Sequence, residues 1–521
     1  MTNMIPNQLN NKTKQYEIDV LIAGSGPTGS TLAADLLRRG LRVRLVDKAP
    51  NAFKGSRAKG VQPRTQEVFK DLGVLDEALA EGGPYPLVGL HLGLITVPWR
   101  MQQRKKPTPS VPYPNILLLP QHRTDTILHR LLDRLGLHIE FDTAVEGFEQ
   151  DSDGVTTTLS SGEKVRSRYL VGADGGSSTV RKAAGIRFLG ETNDSDRTLI
   201  IDGTIDKLSR NRWHMWPRTH GKSVGVCPLP HSDQFQVMIR LTPDETPDLD
   251  EAALTDQFYK LTGFRLYDIT WTSVFRPNVR LAEHYRAGNV FLAGDAAHVH
   301  TPAGAQGLNT GVQDAYNLGW KLGQVISGAP DSLLDSYEAE RQPIAARVLG
   351  KTSELYAGLD QHRLSGLKRR DEERQLGISY HGGPLAPDES PATKTLHVGD
   401  RAPDAPCTGT DGARCLFDVY QGPHFTLLAF GANAAKVTQE LTWPNDGAKL
   451  CCYAVGTGRE IEHNYINDIT GELTSIYGIT GDTLILIRPD GYIGSIITND
   501  FLAAFDNVSR SMTAPRSSAA H

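Results

Sequence analysis

Long hydrophobic runs are absent from this sequence of 521 residues, and none approaches the roughly 20 apolar residues needed to cross a bilayer. The formal net charge is only −5, so the charge balance gives no reason to expect nucleic acid or an anionic membrane as a partner. Residues 1–16 lack the apolar segment of a secretory signal and are expected to form a disordered tail. At this length one core is insufficient, so two or three domains are expected.

Cysteine is also scarce. The five cysteines are odd in number and none forms a C-x-x-C pair, so a disulfide framework is not expected. A reducing, cytoplasmic location is therefore the default expectation. The adjacent residues Cys451 and Cys452 lie in an apolar stretch, which favours a role in filling a core over a redox role.

Glycine, by contrast, is concentrated at the turn after the first predicted strand. Gly24–Gly29 reads GSGPTG and separates the apolar stretch Glu17–Ala23 from a helical pattern that begins at Ser30, and Asp47 ends the next strand. In this pattern the glycines allow a tight turn and close approach of a pyrophosphate, which then faces the helix N-terminus. Because a carboxylate at Asp47 can bind a ribose hydroxyl and would repel a 2′-phosphate, we expect the ADP half of FAD or NAD here.

Two later stretches repeat the order of strand, acidic residue and glycine. Residues 169–176 read YLVGADGG, and residues 289–320 read NVFLAGDAAHVHTPAGAQGLNTGVQDAYNLGW. In the second stretch the strand ends at Asp295, a loop of small residues follows, and a helical pattern begins near Asn309. Small residues let a flat ligand approach the backbone, and a helix N-terminus offers unpaired N–H groups. This loop is therefore predicted to hold the reactive end of a flavin.

In this order the three stretches resemble the single-component FAD-dependent aromatic hydroxylases, the group that contains para-hydroxybenzoate hydroxylase and phenol hydroxylase. The resemblance covers about residues 17–350, and the C-terminal extension is most similar to the branch that acts on phenols and aromatic polyketides. It implies an α/β fold with a Rossmann-like FAD-binding domain of the para-hydroxybenzoate hydroxylase type, an inserted antiparallel-sheet substrate domain and a C-terminal thioredoxin-like domain.

The resemblance also implies the domain boundaries. The FAD-binding domain is expected to be discontinuous, and the thioredoxin-like domain lacks C-x-x-C and is expected to serve packing or homodimer formation. The expected segments are 17–190 plus 276–365 for the FAD-binding domain, 191–275 for the substrate-binding sheet, 366–397 for a linker, 398–507 for the thioredoxin-like domain and 508–521 for a second tail.

The cofactor-binding residues follow from the same resemblance. Asp47 stands where the family usually has Glu, Asp174 is expected to bridge flavin and nicotinamide binding, and Asp295 is expected to meet the ribityl and pyrophosphate region. The full set comprises Gly24, Gly26, Pro27, Thr28, Gly29, Asp47, Lys48, Arg57, Gln121, Asp174 and Asp295, with Pro302, Gly307, Leu308 and Asn309 around the isoalloxazine.

The resemblance implies a reaction in which NADPH reduces FAD and dioxygen then forms a flavin C4a-hydroperoxide. An electron-rich ring, that of a phenol or a polycyclic aromatic compound, attacks the distal oxygen. The cofactor supplies this chemistry, whereas the protein positions the reactants and excludes water. The sequence has no second dinucleotide fingerprint, so NADPH is expected to bind transiently, and no general base for a phenol is assignable.

Three alternative functions stay open at this point. The same chemistry could perform Baeyer–Villiger or antibiotic-inactivating oxygenation. A simple flavin oxidase would oxidise its substrate without NADPH. A non-catalytic binding protein could keep the fold without the flavin, although the intact glycine-rich stretches argue against it.

The substrate-facing residues are expected on the inserted sheet. Consecutive strand patterns at 197–204, 212–217, 222–228 and 234–241 predict that sheet, with another strand at 270–275. The candidates for substrate contact are Trp213, His214, Met215 and Trp216, of which only half can face the substrate because side chains alternate across a strand. His298 and His300 have no clustered third ligand, so a supporting role is preferred and no metal is expected.

Overall fold

The computed structural model describes residues 16–93, 95–192, 197–276, 278–301, 305–360, 371–409, 412–444, 446–456 and 464–513, with side chains given up to residue 350 in the fifth range. They form a mixed α/β fold. No helix in these ranges is both long and apolar enough to cross a membrane.

The strands, in chain order, are β1 (Ile18–Ala23), β2 (Val43–Val46), β3 (Gly60–Val61), β4 (Gly83–Pro84), β5 (Leu87–Leu92), β6 (Ile95–Trp99), β7 (Leu117–Leu118), β8 (Val145–Asp151), β9 (Gly154–Leu159), β10 (Lys164–Gly172), β11 (Phe188–Thr192), β12 (Thr198–Ile205), β13 (Arg212–Thr219), β14 (Lys222–Pro228), β15 (Gln234–Arg240), β16 (Leu266–Phe275), β17 (Asn278–Ala282), β18 (Arg286–Ala287), β19 (Val290–Leu292), β20 (His298–Val299), β21 (Thr408–Gly409), β22 (Phe425–Phe430), β23 (Leu450–Gly456), β24 (Tyr465–Asn467), β25 (Thr483–Ile487) and β26 (Ile493–Ile497).

The α-helices are α1 (Pro27–Leu37), α2 (Pro63–Asp71), α3 (Leu75–Glu81), α4 (Gln121–Arg134), α5 (Thr179–Ala183), α6 (Glu251–Thr262), α7 (Gly307–Ile326), α8 (Ser332–Asp360), α9 (Leu416–Tyr420), α10 (Ala432–Val437), α11 (Glu472–Ile476) and α12 (Phe501–Met512).

The first sheet brings the three glycine-rich stretches to one edge. Its order is β18-β19-β10-β1-β2, and β1 pairs in parallel with both β2 and β10, as does β10 with β19. Val20, Leu21 and Ile22 of β1 are fully buried, as expected for a central parallel strand covered on both faces. Because β1, β10 and β19 run in the same direction, the turns that follow them lie at the same carboxyl edge, where open α/β sheets bind ligands.

The second sheet contains the predicted strands of the middle segment together with two strands that the sequence analysis left unassigned. Its order is β16-β12-β15-β14-β13-β5-β6. Strand β5 pairs with β13 in parallel, so the sheet is mixed rather than antiparallel, and it includes two strands outside the expected segment 191–275. The stretch around β5 and β6 is rich in glycine and proline, which obscures the alternation of an edge hairpin.

The C-terminal unit has its own sheet, ordered β21-β24-β23-β22-β25-β26. Strand β22 pairs in parallel with β23 and antiparallel with β25. Strands β25 and β26 form a hairpin around Asp490 and Gly491, and Gly491 has a φ of 75° at its turn. All five cysteines are free, and burial raises the pKa of Cys452 to about 12.

Two segments expected to be loose are packed. Arg374 and Gln375 are buried, so at least part of the expected linker 366–397 is packed against the core. Helix α12 continues through Met512, beyond the position 508 at which the second tail was expected to start. Its apolar residues Phe505 and Met512 are buried in the main core, because they repeat at helical spacing on one face.

Candidate functional site

The turn after β1 is built so tightly that glycine is required at two positions. Gly24 has a φ of +102°, and a Cβ there would lie 2.3 Å from the carbonyl oxygen of Ala173. A Cβ on Gly29 would lie 1.9 Å from the carbonyl oxygen of Gly24. A Cβ on Gly26, by contrast, would meet no atom within 4 Å. The backbone at Gly26 therefore faces open space at the start of α1, as expected for a pyrophosphate-binding turn.

Pro27 and Thr28 continue this turn into α1. Pro27 occupies the first turn of the helix, where its missing N–H costs no hydrogen bond. Thr28 packs against the distant glycine-rich stretch, because a Cβ on Gly294 or on Gly311 would lie 2.5 Å or 2.3 Å from its Oγ1. The two predicted flavin-binding stretches are thus in direct contact.

Asp47 holds the same turn from the end of β2. Its Oδ2 accepts hydrogen bonds from the backbone N–H and the hydroxyl of Ser25, both at 2.7 Å, and its Oδ1 accepts one from the N–H of Ala49 at 2.8 Å. A carboxylate oxygen has two lone pairs, so Asp47 retains acceptor capacity for a ribose hydroxyl. Asp47 and Lys48 line one cleft with Gly24, Gly26, Ala173, Asp174 and Thr179.

Asp174 enters this cleft from the end of β10. Its Oδ2 accepts a hydrogen bond from the N–H of Thr179 at 2.7 Å at the start of α5. Its Oδ1 is buried and has no hydrogen-bond partner among the described residues. A buried acceptor without a partner is costly. Asp174 is therefore suited to receive a donor from a bound ligand, and the residues of this cleft fit the ADP half of FAD.

The loop after β19 is anchored by a buried ion cluster. Gly294 has a φ of 61° and donates its N–H to Oδ2 of Asp314 at 3.1 Å. His298 Nε2 lies 2.6 Å from the same oxygen, and Arg341 Nε donates to Oδ1 at 2.8 Å. Although burial favours the protonated acid, the charges of His298 and Arg341 hold the pKa of Asp314 below its ordinary value. His298 therefore supports the loop, and half-buried Asp295 is held next to Gly294.

The start of α7 presents the predicted isoalloxazine cradle. The first N–H groups of a helix lack intrahelical partners, and no acidic side chain lies in the first turn here. Asn309 is fully buried, where its Oδ1 accepts from the N–H of Gln62 at 2.7 Å and its Nδ2 donates to the carbonyl of Gly60 at 2.8 Å. Leu308 packs against the core, and a Cβ on Gly307 would crowd the ring of His300 at 3.3 Å.

Three predicted cofactor residues remain. Gln121 begins α4, and its Oε1 accepts a hydrogen bond from the N–H of Ala58 at 3.4 Å. Arg57 precedes Ala58 in the loop before β3, and its side chain is exposed. Pro302 lies outside the described residues. The loop that carries Arg57 is thus in contact with Gln121.

The four candidate substrate residues divide between the two faces of the second sheet. Trp213 and Met215 belong to a cluster with Val88 and Met238 on one face. Trp216 packs into the opposite core with α6. His214 Nδ1 lies 2.8 Å from Nε2 of His91, whose ring stacks on Trp216. His214 and Trp216 therefore lie on the face opposite Trp213 and Met215, because alternate side chains of β13 point to opposite faces.

The face that carries Trp213 is directed toward the predicted flavin site, through contacts that the sequence analysis missed. Ser56 donates its N–H to Oδ2 of Asp202 at 2.7 Å and its hydroxyl to Oδ1 at 2.5 Å. Gln236 Nε2 donates to the carbonyl of Ser56 at 3.0 Å, and Lys59 donates to Gln236 Oε1. The sequence feature that could have indicated these contacts is a polar residue inside an apolar strand, at Asp202 in β12 and at Gln236 in β15.

Two family models match this chain. The model described as FAD binding domain matches residues 17–352, and the model described as HcaD C-terminal domain matches residues 399–510. The first match spans more than half of the chain and includes every predicted cofactor residue.

Proteins of known function are similar over most of the length. A flavin-dependent monooxygenase of Mycobacteroides abscessus is 42% identical over 490 residues, which cover 91% of this chain and 96% of that protein. A rifampicin monooxygenase of Streptomyces venezuelae is 39% identical over 342 residues, which cover 64% of this chain and 70% of that protein. The crystal structure of aklavinone-11 hydroxylase with FAD and aklavinone matches with a TM-score of 0.78 at 27% identity, covering 96% of this chain and 99% of that one.

Proposed function

This chain belongs to the single-component FAD-dependent aromatic hydroxylases, a family of flavoprotein monooxygenases, and on that basis we propose that it consumes NADPH to hydroxylate a phenolic or polycyclic aromatic, polyketide-like substrate. The observation that carries the proposal is the convergence of three motifs at one sheet edge. The glycine turn, Asp174 and the start of α7 lie at the carboxyl ends of β1, β10 and β19.

FAD fits this edge, and when bound it supplies the redox and oxygen-activating chemistry. In the proposal, the N–H groups after Gly26 bind the pyrophosphate and Asp47 binds the adenosine ribose. The first turn of α7 places N–H groups and partial positive charge at the isoalloxazine, which stabilises negative charge there. Asp314 keeps the loop at Gly294 in its binding conformation through the contacts already described.

The substrate side of the proposal rests on the inward face of the second sheet. Trp213 and Met215 supply an apolar wall that excludes water, and the polar residues Asp202 and Gln236 connect this wall to the loop at Ser56. An electron-rich aromatic ring stacks well on such a wall. NADPH is proposed to bind transiently near Asp174, since the sequence offers no second dinucleotide-binding motif.

The remaining expectations are proposals about organisation. We infer a discontinuous FAD-binding domain, a substrate sheet extended to include β5 and β6, and a thioredoxin-like C-terminal domain that serves packing or homodimer formation. The mixed order of the C-terminal sheet and the match to the HcaD C-terminal domain support a separate unit there. Five free cysteines agree with a reducing, cytoplasmic location.

The experiment is a substrate panel on the purified holoenzyme. Bound FAD is identified from the visible spectrum, and NADPH oxidation is measured with simple phenols and with multi-ring phenols. The proposal expects oxidation that a subset of these compounds stimulates and that is coupled to a product heavier by one oxygen atom. A protein that purifies without FAD, or NADPH oxidation that no aromatic compound stimulates, would contradict it.

A second candidate function is Baeyer–Villiger or antibiotic-inactivating oxygenation by the same site. The similarity to a rifampicin monooxygenase supports this second candidate function. Product analysis separates the two, because ring hydroxylation adds a phenolic hydroxyl, whereas Baeyer–Villiger oxygenation inserts oxygen beside a carbonyl and creates an ester.

A further inference from the structure

Lys59 lies between the predicted flavin cradle and the substrate wall. Its carbonyl oxygen accepts a hydrogen bond from the N–H of Leu119 at 3.0 Å, which fixes its backbone. The next residue, Gly60, touches the loop before α7, since a Cβ there would lie 2.8 Å from the Cβ of Ala305. The carbonyl of Gly60 also accepts the hydrogen bond from Asn309. Lys59 is thus one residue away from the backbone that the proposed isoalloxazine cradle contacts.

The side chain of Lys59 extends from this backbone onto the inward face of the second sheet. Its Nζ lies 4.8 Å from the centre of the Trp213 ring, and it donates hydrogen bonds to Gln236 Oε1 and, at 3.9 Å, to Sδ of Met238. These partners are neutral. The side chain is half-buried, and it forms no ion pair with any described carboxylate. Asp202, which acts on Lys59 through space, has both oxygens bonded to Ser56.

An ammonium group has three N–H donors, of which Gln236 and the weakly accepting Sδ of Met238 use two. A partly buried cation without a counter-ion is unfavourable unless something compensates for its lost hydration. The cation–π contact with Trp213 compensates in part. The remaining donor points to an anionic or strongly hydrogen-bonding oxygen of a ligand beside Lys59 and Trp213.

We propose that Lys59 forms a subsite for an ionised phenolic oxygen of the substrate, so that the ring lies against Trp213 with its oxygen on Nζ. This inference rests on the proposed hydroxylase function and adds a residue to it. An ionised oxygen makes the ring more electron-rich, which favours attack by the ring on an electrophilic oxygen atom. A charge-assisted hydrogen bond also fixes which carbon of the ring faces the flavin.

Proton transfer fits the same geometry. Burial lowers the pKa of Lys59, opposed in part by Cys227 and Asp202, so the neutral amine forms more readily than in a surface lysine. When Lys59 is neutral, the phenolic O–H bond breaks as an Nζ–H bond forms, and an ammonium–phenolate pair remains. The sequence analysis found no general base, and Lys59 supplies one through an environment that a sequence pattern does not show.

The test uses two matched probes, 2-hydroxyanthraquinone and 2-methoxyanthraquinone, which differ in the ability to ionise. Binding to the FAD-loaded protein is followed by the visible spectrum of the probe. The wild type should bind the hydroxy probe as its coloured anion, at a lower apparent pKa than in free solution and about tenfold more tightly than the methyl ether. This comparison needs no variant, so a folding defect does not affect it.

The variants then assign the effect to Lys59. Lys59→Met should raise the apparent pKa of the bound probe and remove the preference for the hydroxy compound, whereas Lys59→Arg should retain both. Lys54→Met removes an exposed lysine of the same segment and should behave as the wild type. FAD content equal to the wild type in each variant shows that the cofactor site is intact.

The outcomes separate this inference from the function on which it rests. If the wild type shows no preference between the probes, or if Lys59→Met retains the wild-type preference and apparent pKa, the subsite is wrong. If neither probe binds, and neither these nor 2-naphthol stimulate NADPH oxidation, the proposed hydroxylase function fails together with the subsite.

Discussion

Arg488 of the C-terminal unit pairs with Glu340 of α8 at 2.7 Å, and both side chains are essentially inaccessible to solvent. Lys321 of α7 donates to the same carboxylate at 2.7 Å. The residue after Glu340 is Arg341, which binds Asp314 below the loop at Gly294. A continuous set of buried charges thus connects the C-terminal unit to the loop that is proposed to hold the flavin.

Removing the shared carboxylate should be strongly destabilising. Glu340→Gln leaves buried Lys321 without its counter-charge and Arg488 with Asp490 alone, and breaking a buried pair in this way costs about 3–5 kcal/mol. The measurement is the free energy of unfolding from denaturant titration. Asp256→Asn, which breaks the exposed pair with Lys260, is the matched control and should cost less than about 1 kcal/mol. Equal effects of the two substitutions would show that the buried cluster does not stabilise the fold.

Acid should weaken the protein through the same carboxylate. Burial by itself would raise the pKa of Glu340, but Arg488 and Lys321 lower it from 4.5 to about 2. Between these values the unfolded state binds more protons than the folded state, so stability is present above about pH 4.5 and is lost as the pH falls toward 2. Unfolding measured across this range should lose stability more steeply for the wild type than for Glu340→Gln. Parallel curves would contradict the assignment.

The pyrophosphate assignment is tested at Gly26. A Cβ at this position meets no protein atom within 4 Å and the backbone φ of −65° suits any residue, so Gly26→Val should leave the apoprotein as stable as the wild type. The added side chain would occupy the space proposed for the pyrophosphate, and FAD affinity should fall by about tenfold or more. Fluorescence titration of the apoprotein with FAD measures this.

The control for that substitution is Gly481→Val in the C-terminal unit, where a Cβ also meets no atom within 4 Å. It should retain the wild-type affinity for FAD. Unchanged FAD affinity in Gly26→Val would show that the pyrophosphate does not bind at this turn.

The ion cluster below the flavin loop makes a further prediction. Asp314→Asn removes the charge that pairs with His298 and Arg341 while keeping an acceptor for the N–H of Gly294. FAD affinity should fall and the loop should become more susceptible to proteolysis, because buried Arg341 loses its counter-charge and His298 loses its carboxylate partner. Limited proteolysis with and without FAD is the measurement, and wild-type resistance in both states would mean that Asp314 does not hold the loop.

The sequence alone was sufficient to predict the parts of the site that depend on local backbone conformation. Gly24 and Gly29 are required by the turn itself, and Gly294 by its left-handed conformation next to Thr28. These constraints act within a few residues or at a motif of fixed form, so a single sequence reveals them.

Contacts between distant segments were not predictable in the same way. Lys59 meets Gln236 and Trp213 only because β13 and β15 flank β14 in the same sheet and present these side chains on one face. Gln375 lies in the expected linker 366–397, yet it donates to Gln306 Oε1 at 2.7 Å beside the start of α7. Such pairings depend on the tertiary arrangement, which periodicity in one segment does not determine.

The most direct test of the central claim is to follow the oxygen atom. The FAD-loaded protein is incubated with NADPH, isotopically labelled dioxygen and the phenol that most stimulates NADPH oxidation, and the product is analysed by mass spectrometry. We expect one labelled oxygen atom in a hydroxylated ring for each NADPH oxidised. Product that carries oxygen from water, or NADPH oxidation that yields only hydrogen peroxide with every aromatic compound tested, would contradict the assignment as an aromatic hydroxylase.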